Sequence, residues 1–559
     1  MNPATFKRIA GKYFRTPLVV LIFISFLLSQ SCSDQKVPEE QRAYLTPETL
    51  CGTVQFSDGC SPKLDTLIGF GIALIHHMTY EDAEYTFDQV IKLDKDCFWG
   101  YWGKAMTYIH PLWPDVPDSA LLEKGYVISQ NALSLAKTKK EKLYGAAVAS
   151  FFEDGLNKSK QARLEAFKSG WMTAREEMPE DIEARMFSVL TMLATVSPYD
   201  KSYKVQRESG ETAEKVLEII PDHPAGFHYA IHAYDVPQLS GNAIRVAKEY
   251  YKIAPEIPHA LHMPTHIFTR LGYWNESIEL NSRSAAAAWR FPVGDQISGH
   301  YFHALDYLAY AYLQISELEK AKNIVAILDT LGGTYQPVAA TAYCLAAVPG
   351  RVLLENQMWS EASKLSLKNH TNFPWNKFPQ YEALIYYAKG IGAGRSGNIV
   401  IAQQSYQKLD ELQKTFKDAE SNKYWINQIE IQKKVVKAWE LFAQKEMEKS
   451  LEMMISAAEL EDATEKNPVT PGQLLPAREM LGDLLLEMNK HKEALNQYEL
   501  TLEKNPNRFN ALFGAGKSAE LIGDKEKAAF YFQALLKNNK SSKSNNDRMA
   551  HALEVTTKI

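Results

Sequence analysis

An all-α chain built as a solenoid of paired helices is what this sequence predicts, and three observations predict it. A self-similarity recurs at 34 residues, apolar residues follow helical spacing almost throughout, and no segment alternates apolar and polar residues between hairpin turns. Near the C-terminus Gly482, Ala494 and Tyr498 recur as Gly516, Ala528 and Phe532. The same triplet appears as Gly71, Ala83 and Phe87 and again as Gly390, Ala402 and Tyr406. The small residues let the two helices of a hairpin approach, the aromatic fills the seam, and Pro506 stops a second helix. Pro and Gly mark breaks at 110–119, 219–226, 289–299 and 466–473. With roughly 510 repeat-forming residues at 34 per unit, about fifteen helix pairs are expected, several of them degenerate.

Numbered so that Gly482 is position 8, the triplet falls at positions 8, 20 and 24 with Pro506 at 32, which resembles the tetratricopeptide repeat (TPR). The resemblance implies a superhelical TPR solenoid whose concave surface ordinarily docks a protein or peptide.

The N-terminus reads as an export signal. Lys7, Arg8, Lys12 and Arg15 precede an apolar stretch from Leu18 to Leu28 that is too short to span a bilayer comfortably. The following Leu28-Ser29-Gln30-Ser31-Cys32 resembles a bacterial lipobox, although Ser29 stands where leucine is usual. That resemblance implies cleavage before Cys32, lipidation of Cys32 and attachment to a bacterial membrane through the anchor. Residues 33–45 have too few apolar side chains to pack and read as a polar tether. Four cysteines remain, and outside the cytoplasm a disulfide persists; Cys51 and Cys60 bracket a Gly-containing loop and are the expected pair, the alternative being buried unpaired thiols. Cys344 lies in an apolar run where a free thiol is ordinary, and no CxxC supports a thioredoxin or zinc-ribbon site.

A composition 45% hydrophobic and 23% charged excludes a disordered chain. The net charge of -5, with no aromatic-interleaved basic run, excludes nucleic acid as a partner.

Of 14 histidines, eight lie between residues 223 and 303. His228 and His232 are spaced i, i+4; His259, His262 and His266 are spaced i, i+3, i+7; His300, His303 and Asp306 continue at i, i+3, i+6. Each set lies along one helix stripe. Aligning Pro255 with position 32 places His228 and His232 at 5 and 9 of a first helix, and a step of 34 lands on His262 and His266, with His259 at 2. Aligning Ala321 with position 20 puts His303 at 2 and Asp306 at 5. In TPR proteins these positions line the groove, so the stripes are expected to share one space. With helices about 8–10 Å apart, adjacent imidazoles reach a common ion. His228, His232, His262 and His266 are the expected ligands of a divalent transition metal such as zinc, with His259, His303, Asp306 and Asp235 peripheral. HYAIH has the histidine spacing of HExxH but lacks its glutamate, so the metalloprotease mechanism loses its base. A hydrogen-bonded histidine ladder and metal-free acid–base chemistry are the alternatives, and His76 and His110, 34 apart, extend the lining or simply pack.

The strings HYAIHAYD (228–235), HALHMPTHIFTRLGYW (259–274), PAREMLGDLLLE (476–487) and PNRFNALFGAG (506–516) resemble a group of bacterial TPR proteins that carry HYxIHAYD and HALHMPxHIF. The resemblance spans most of the mature chain and implies the fold, while naming no activity. Seven segments follow: a signal at 1–31, lipidated cysteine and tether at 32–45, N-terminal helical repeats at 46–220, histidine-rich repeats at 221–330, degenerate repeats at 331–470, a C-terminal TPR pair at 471–540 and a polar tail at 541–559. The expected function is a lipid-anchored extracytoplasmic scaffold, in an outer-membrane, polysaccharide-utilisation context, that docks a protein, peptide or small ligand and carries a metal at the histidines. A metal-dependent enzyme acting in the same groove is the alternative.

Overall fold

The computed structural model describes residues 44–56, 61–367, 370–417, 422–467, 469–540 and 546–558. The signal segment, Cys32 and Cys60 lie outside the described residues, and among those described no helix is long and apolar enough to cross a membrane.

The chain is an all-α solenoid of successive helix pairs. Its N-terminal arc pairs α1 (Pro62–His76) with α2 (Tyr80–Leu93), α3 (Phe98–Met106) with α4 (Ser119–Leu135), α5 (Lys139–Phe152) with α6 (Lys160–Glu177) and α7 (Ile182–Thr195) with α8 (Lys204–Ile219). The histidine segment pairs α9 (Pro224–Tyr234) with α10 (Ile244–Ile253), the broken helix α11 (Pro258–His262) and α12 (Pro264–Leu271) with α13 (Trp274–Arg290), and α14 (Gly299–Gln314) with α15 (Leu318–Thr330). Then come α16 (Ala339–Glu355) with the short α17 (Trp359–Ala362), α18 (Pro379–Arg395) with α19 (Ile399–Gln413) and α20 (Lys423–Ala443) with α21 (Met447–Asp462). The C-terminal pairs are α22 (Ala477–Glu487) with α23 (His491–Lys504) and α24 (Phe509–Leu521) with α25 (Lys525–Asn538), closed by α26 (Asp547–Lys558). The pairs are fewer than the 34-residue period implies because long linkers take up chain between Met106 and Ser119, Arg290 and Gly299, and Asp462 and Ala477. The expected polar tail contains α26, whose Ala552 is buried. The only regular strands among the described residues are the two-residue parallel pair Gln296–Ile297 and Thr334–Tyr335.

Local chemistry sets the ends of these helices. Thr138 and Glu141 form a reciprocal capping box at the start of α5. Prolines open α1, α9, α11, α12 and α18, where the missing N–H costs nothing. The small-residue positions do what their spacing predicts: a Cβ on Gly482 would stand 2.8 Å from the Tyr498 ring, and one on Gly71 would stand 2.6 Å from that of Phe87. At Gly390 the close neighbour is Val436 of the following pair instead of Tyr406.

Two hydrophobic cores run along the solenoid, one from Leu45 to Leu280 and one from Ala285 to Ala552, and the histidines lie where they meet. The solenoid is not a chain of nearest neighbours only, because its turns touch. Near the N-terminus Thr53 N donates to Asp222 O at 3.2 Å. Far along the chain, Glu465 accepts from Lys201 and Tyr203, each at 2.6 Å. Gly272, at φ 69°, ends α12 so close to the C-terminal repeats that a Cβ there would meet Pro506 O at 2.3 Å.

Cys51 corrects the expected disulfide. It is a free, buried thiol, pushed up to about 11 by burial, and its carbonyl accepts from His77 Nε2 at 2.9 Å. The helix that carries His77 thus holds this residue inward. Cys97 is the disulfide-bonded cysteine among those described, and Cys344 is free and buried.

Candidate metal centre

Four helices deliver the imidazoles. Helix α9 presents His228 and His232 one turn apart. Pro264 interrupts the next first helix at Met263, so His259 and His262 come from α11 and His266 from α12. Helix α14, capped by Ser298, brings His300 and His303. The four expected ligands do not form one set: His228 and His232 fall in one group and His262 and His266 in a neighbouring one. His228, His232 and His259 form one triad and His262, His266 and His303 another, with ligand nitrogens in each within 4.8 Å of one another. Ring centroids are 4.9 Å apart for His228 and His259 and 4.0 Å for His262 and His303. Between triads they are 6.3 Å for His232 and His266 and 6.2 Å for His259 and His262. Metal–nitrogen bonds of about 2.0–2.1 Å require nitrogens roughly 3.3–3.6 Å apart, and one nitrogen pair in each triad stands near that spacing, at 3.1 Å for His228 and His232 and 3.0 Å for His262 and His266. His259 and His303, expected at the rim, are the third members of the triads.

The hydrogen bonds fix which nitrogens are bare. Asn281 donates both amide hydrogens toward Ser277, to O at 2.9 Å and Oγ at 3.2 Å, so its Oδ1 faces His262 Nδ1 at 2.7 Å and must accept from it. His266 Nδ1 donates to Asp235 Oδ2 at 2.9 Å. Burial alone would raise Asp235, but Lys466 and Arg270 hold it well below the usual carboxylate range, so it is an ionised acceptor. With both Nδ1 atoms protonated, His262 Nε2 and His266 Nε2 face each other at 3.0 Å with lone pairs and no hydrogen between them. A cation shared between the two nitrogens would satisfy that contact. A proton is disfavoured: burial lowers His266 and takes His262 well below its ordinary value, with neighbouring Lys466 adding to the effect. In the other triad His228 Nδ1 donates to His76 O at 2.5 Å, leaving Nε2 bare 3.1 Å from His232 Nε2. His259 is 3% exposed and neither of its ring nitrogens has a hydrogen-bond partner.

Asp235 is a positioning carboxylate behind His266 rather than a ligand. Asp306 is corrected more fundamentally: it joins neither triad, lies 3.7 Å from Arg351, and is pushed up to about 7 by burial against the pull of that arginine. Tyr307, one residue on, takes the inward place, its hydroxyl 3.3 Å from His266 Nδ1 and donating to Thr470 O at 3.1 Å. A third cluster adjoins the triads. Glu183 accepts from His76 Nε2 at 2.6 Å and His223 Nε2 at 2.9 Å, while Tyr229 donates to His76 Nδ1 at 2.8 Å. Burial would raise Glu183, but the two histidines hold it well below the usual carboxylate range. Both His76 nitrogens and both Glu183 oxygens thus have protein partners, and the His76 carbonyl orients His228.

The groove expected over the histidines is filled by the chain itself. Trp113 packs edge-on to His300 with centroids 5.6 Å apart and tilted against His259 at 5.5 Å. With Leu112 and Val469 it covers a cavity of about 20 Å³ lined also by Met78, Met263 and His232, His259, His266 and His303. A larger cavity of about 520 Å³ is bordered by Arg270 and Lys466, the two cations paired with Asp235, and by Arg478, Glu461, Asp462 and Glu465 among others.

No protein-family model and no curated protein matches this chain. Among solved structures, yeast Tom70 is similar at 12% identity, covering 89% of this chain and 96% of that chain at a TM-score of 0.33. The P58(IPK) TPR domain is similar at 11% identity over 89% of this chain and 98% of that one, at 0.21. A tetratricopeptide repeat protein from Parabacteroides merdae is similar at 15% identity over 64% of this chain and 100% of that one, at 0.25.

Proposed function

We propose that this chain is a lipid-anchored, extracytoplasmic TPR scaffold that holds a late transition metal in its histidine core. The observation that carries the metal is the pair of bare Nε2 atoms of His262 and His266, 3.0 Å apart, each fixed from behind by a hydrogen-bond acceptor. Imidazole nitrogens suit Zn, Cu, Ni and Fe, and the orienting groups Asn281 and Asp235 supply the outer shell that such ligands use. Elemental analysis of the purified full chain is expected to find bound metal, and His262→Ala/His266→Ala is expected to fold with reduced metal content. Wild-type protein that folds metal-free, and stays so after incubation with zinc or copper, would end the metal reading.

The docking role usual for repeat arrays would then stand alone, and the 520 Å³ cavity, whose border mixes lysines and arginines with Glu461, Asp462 and Glu465, is where it would operate on a peptide or small ligand.

The anchor rests on the lipobox resemblance at Cys32 and the polar tether behind it. Cys32→Ala is expected to release the protein from the membrane fraction; an intact mass showing residues upstream of Cys32 on an unmodified chain would refute the anchor.

A further inference from the structure

We infer that the two triads form a dicopper centre whose ligand is dioxygen, a reading that rests on the metal-binding proposal above and specifies it. The triads are successive copies of one arrangement: His228 and His262, and His232 and His266, are each separated by 34 residues and occupy equal places in adjacent repeats. Each triad offers three imidazoles, so each takes one ion.

The charge balance selects the metal. Neither triad contains a carboxylate or thiolate, and the acids behind them are committed to other groups, Asp235 to Arg270 at 2.8 Å and Lys466 at 3.3 Å and Glu183 to His76 at 2.6 Å and His223 at 2.9 Å. Two divalent ions would bring four positive charges into a buried space with no anion among their ligands, and the cost of burying charge rises with its square. Two cuprous ions bring two. Cuprous copper accepts three neutral nitrogens and favours soft thioethers, and Met78 and Met263 line the same cavity.

The cavity selects the ligand. Its roughly 20 Å³ admits about one water-sized molecule. Its wall is carbon, sulfur and imidazole with no charged side chain, and it touches His232 and His259 of one triad and His266 and His303 of the other. The wall exposes no polar atom, so a water there finds no hydrogen-bond partner apart from the metal, whereas an apolar diatomic needs none. Dioxygen bound there takes one electron from each cuprous ion, giving two cupric ions and one peroxide dianion. No proton or further reductant enters, and the summed charge of the centre stays at plus two, so the buried site gains no net charge.

The test uses the full chain, stripped with chelator and loaded anaerobically with cuprous copper. Two equivalents are expected to bind. Admission of oxygen is expected to produce a peroxide-to-copper charge-transfer band, with little cupric electron paramagnetic resonance signal because the two spins couple. His259→Leu breaks no hydrogen bond and so is expected to fold; it should lower the stoichiometry from two to one and abolish the band. One equivalent in the wild type, two uncoupled cupric signals, or no oxygen-dependent band would each overturn the dicopper reading. Zinc retained against excess cuprous copper would overturn it while leaving the metal proposal intact, and failure to bind any metal would remove both.

Discussion

Metal-free protein is expected to unfold on mild acidification, with its stability falling steeply below pH 6.5. Burial takes His77 and His232 down to about 3 and holds His228, His259, His262 and His303 well below their ordinary value. His77 shows why the folded state resists the proton: Nε2 donates to Cys51 O at 2.9 Å and Nδ1 accepts from Tyr250 at 2.8 Å, so no lone pair is left. In the unfolded chain these groups titrate near about 6.5. Below that pH the unfolded state binds more protons than the folded one, so unfolding becomes more favourable as pH falls. Each neutral imidazole contributes about 1.4 kcal/mol per pH unit, so one unit costs several kcal/mol for the set, against a typical total of about 5–15 kcal/mol. Thermal unfolding followed by circular dichroism in chelator should give a melting temperature level from pH 8 to 7 and falling sharply from 6.5 to 5. A level melting temperature down to pH 5 would mean that the imidazoles protonate freely in the folded chain.

Much of the candidate centre was legible because a repeat turns sequence distance into spatial position. The 34-residue step from His228 to His262 predicts adjacent places on adjacent first helices, and the i, i+4 spacing predicts a shared face; both hold in the structure. What supports the triads was not legible. Asn281 sits on a second helix and Glu183 in a repeat with no histidine signal of its own, so their roles follow from packing between helices rather than from register. Asp306 shows the limit within one helix: residues three and four beyond His303 differ by about 100° in direction, and α14 turns Tyr307 toward His266 and Asp306 toward Arg351. The coverage by Trp113 and Val469 arises because the solenoid curls enough for its linkers to cross the concave side, a consequence of superhelical pitch that no local pattern carries. Cys51 was misread for a related reason, since spacing to Cys60 says nothing of which way a side chain faces.

Arg508→Ala is expected to cost about 3–5 kcal/mol, the penalty for leaving buried charge without its partner. Arg508 is completely buried and forks onto Glu479, Nε to Oε2 at 2.6 Å and Nη2 to Oε1 at 2.7 Å. Its Nη1 reaches Glu355 Oε1 at 2.8 Å and Tyr310 Oη at 3.0 Å. One side chain therefore ties α24 to α22, α16 and the histidine helix α14, closing the C-terminal pairs onto the middle of the solenoid. Glu479 and Glu355 are themselves 1% and 4% exposed, so without the guanidinium two carboxylates face each other in the core. Burial already pushes Glu479 up to about 7 against the pull of Arg508, and removing that pull sends it higher. Below about 7 this carboxyl is protonated in both folded proteins, whereas above it only wild type regains the ionised pair with Arg508, so the variant's deficit should be level from pH 5 to 7 and grow from pH 7 to 8. Arg508→Lys, which keeps the charge and loses the fork, is expected to fall between. Adding Glu355→Gln and Glu479→Gln to Arg508→Ala should recover part of the loss, because the unpaired charges are its main source. Denaturant unfolding of the four proteins measures this directly. If Arg508→Ala lies within about 1 kcal/mol of wild type, the closure does not depend on the ion pair, and the apolar packing of α24 against α14 must hold the C-terminal repeats in place.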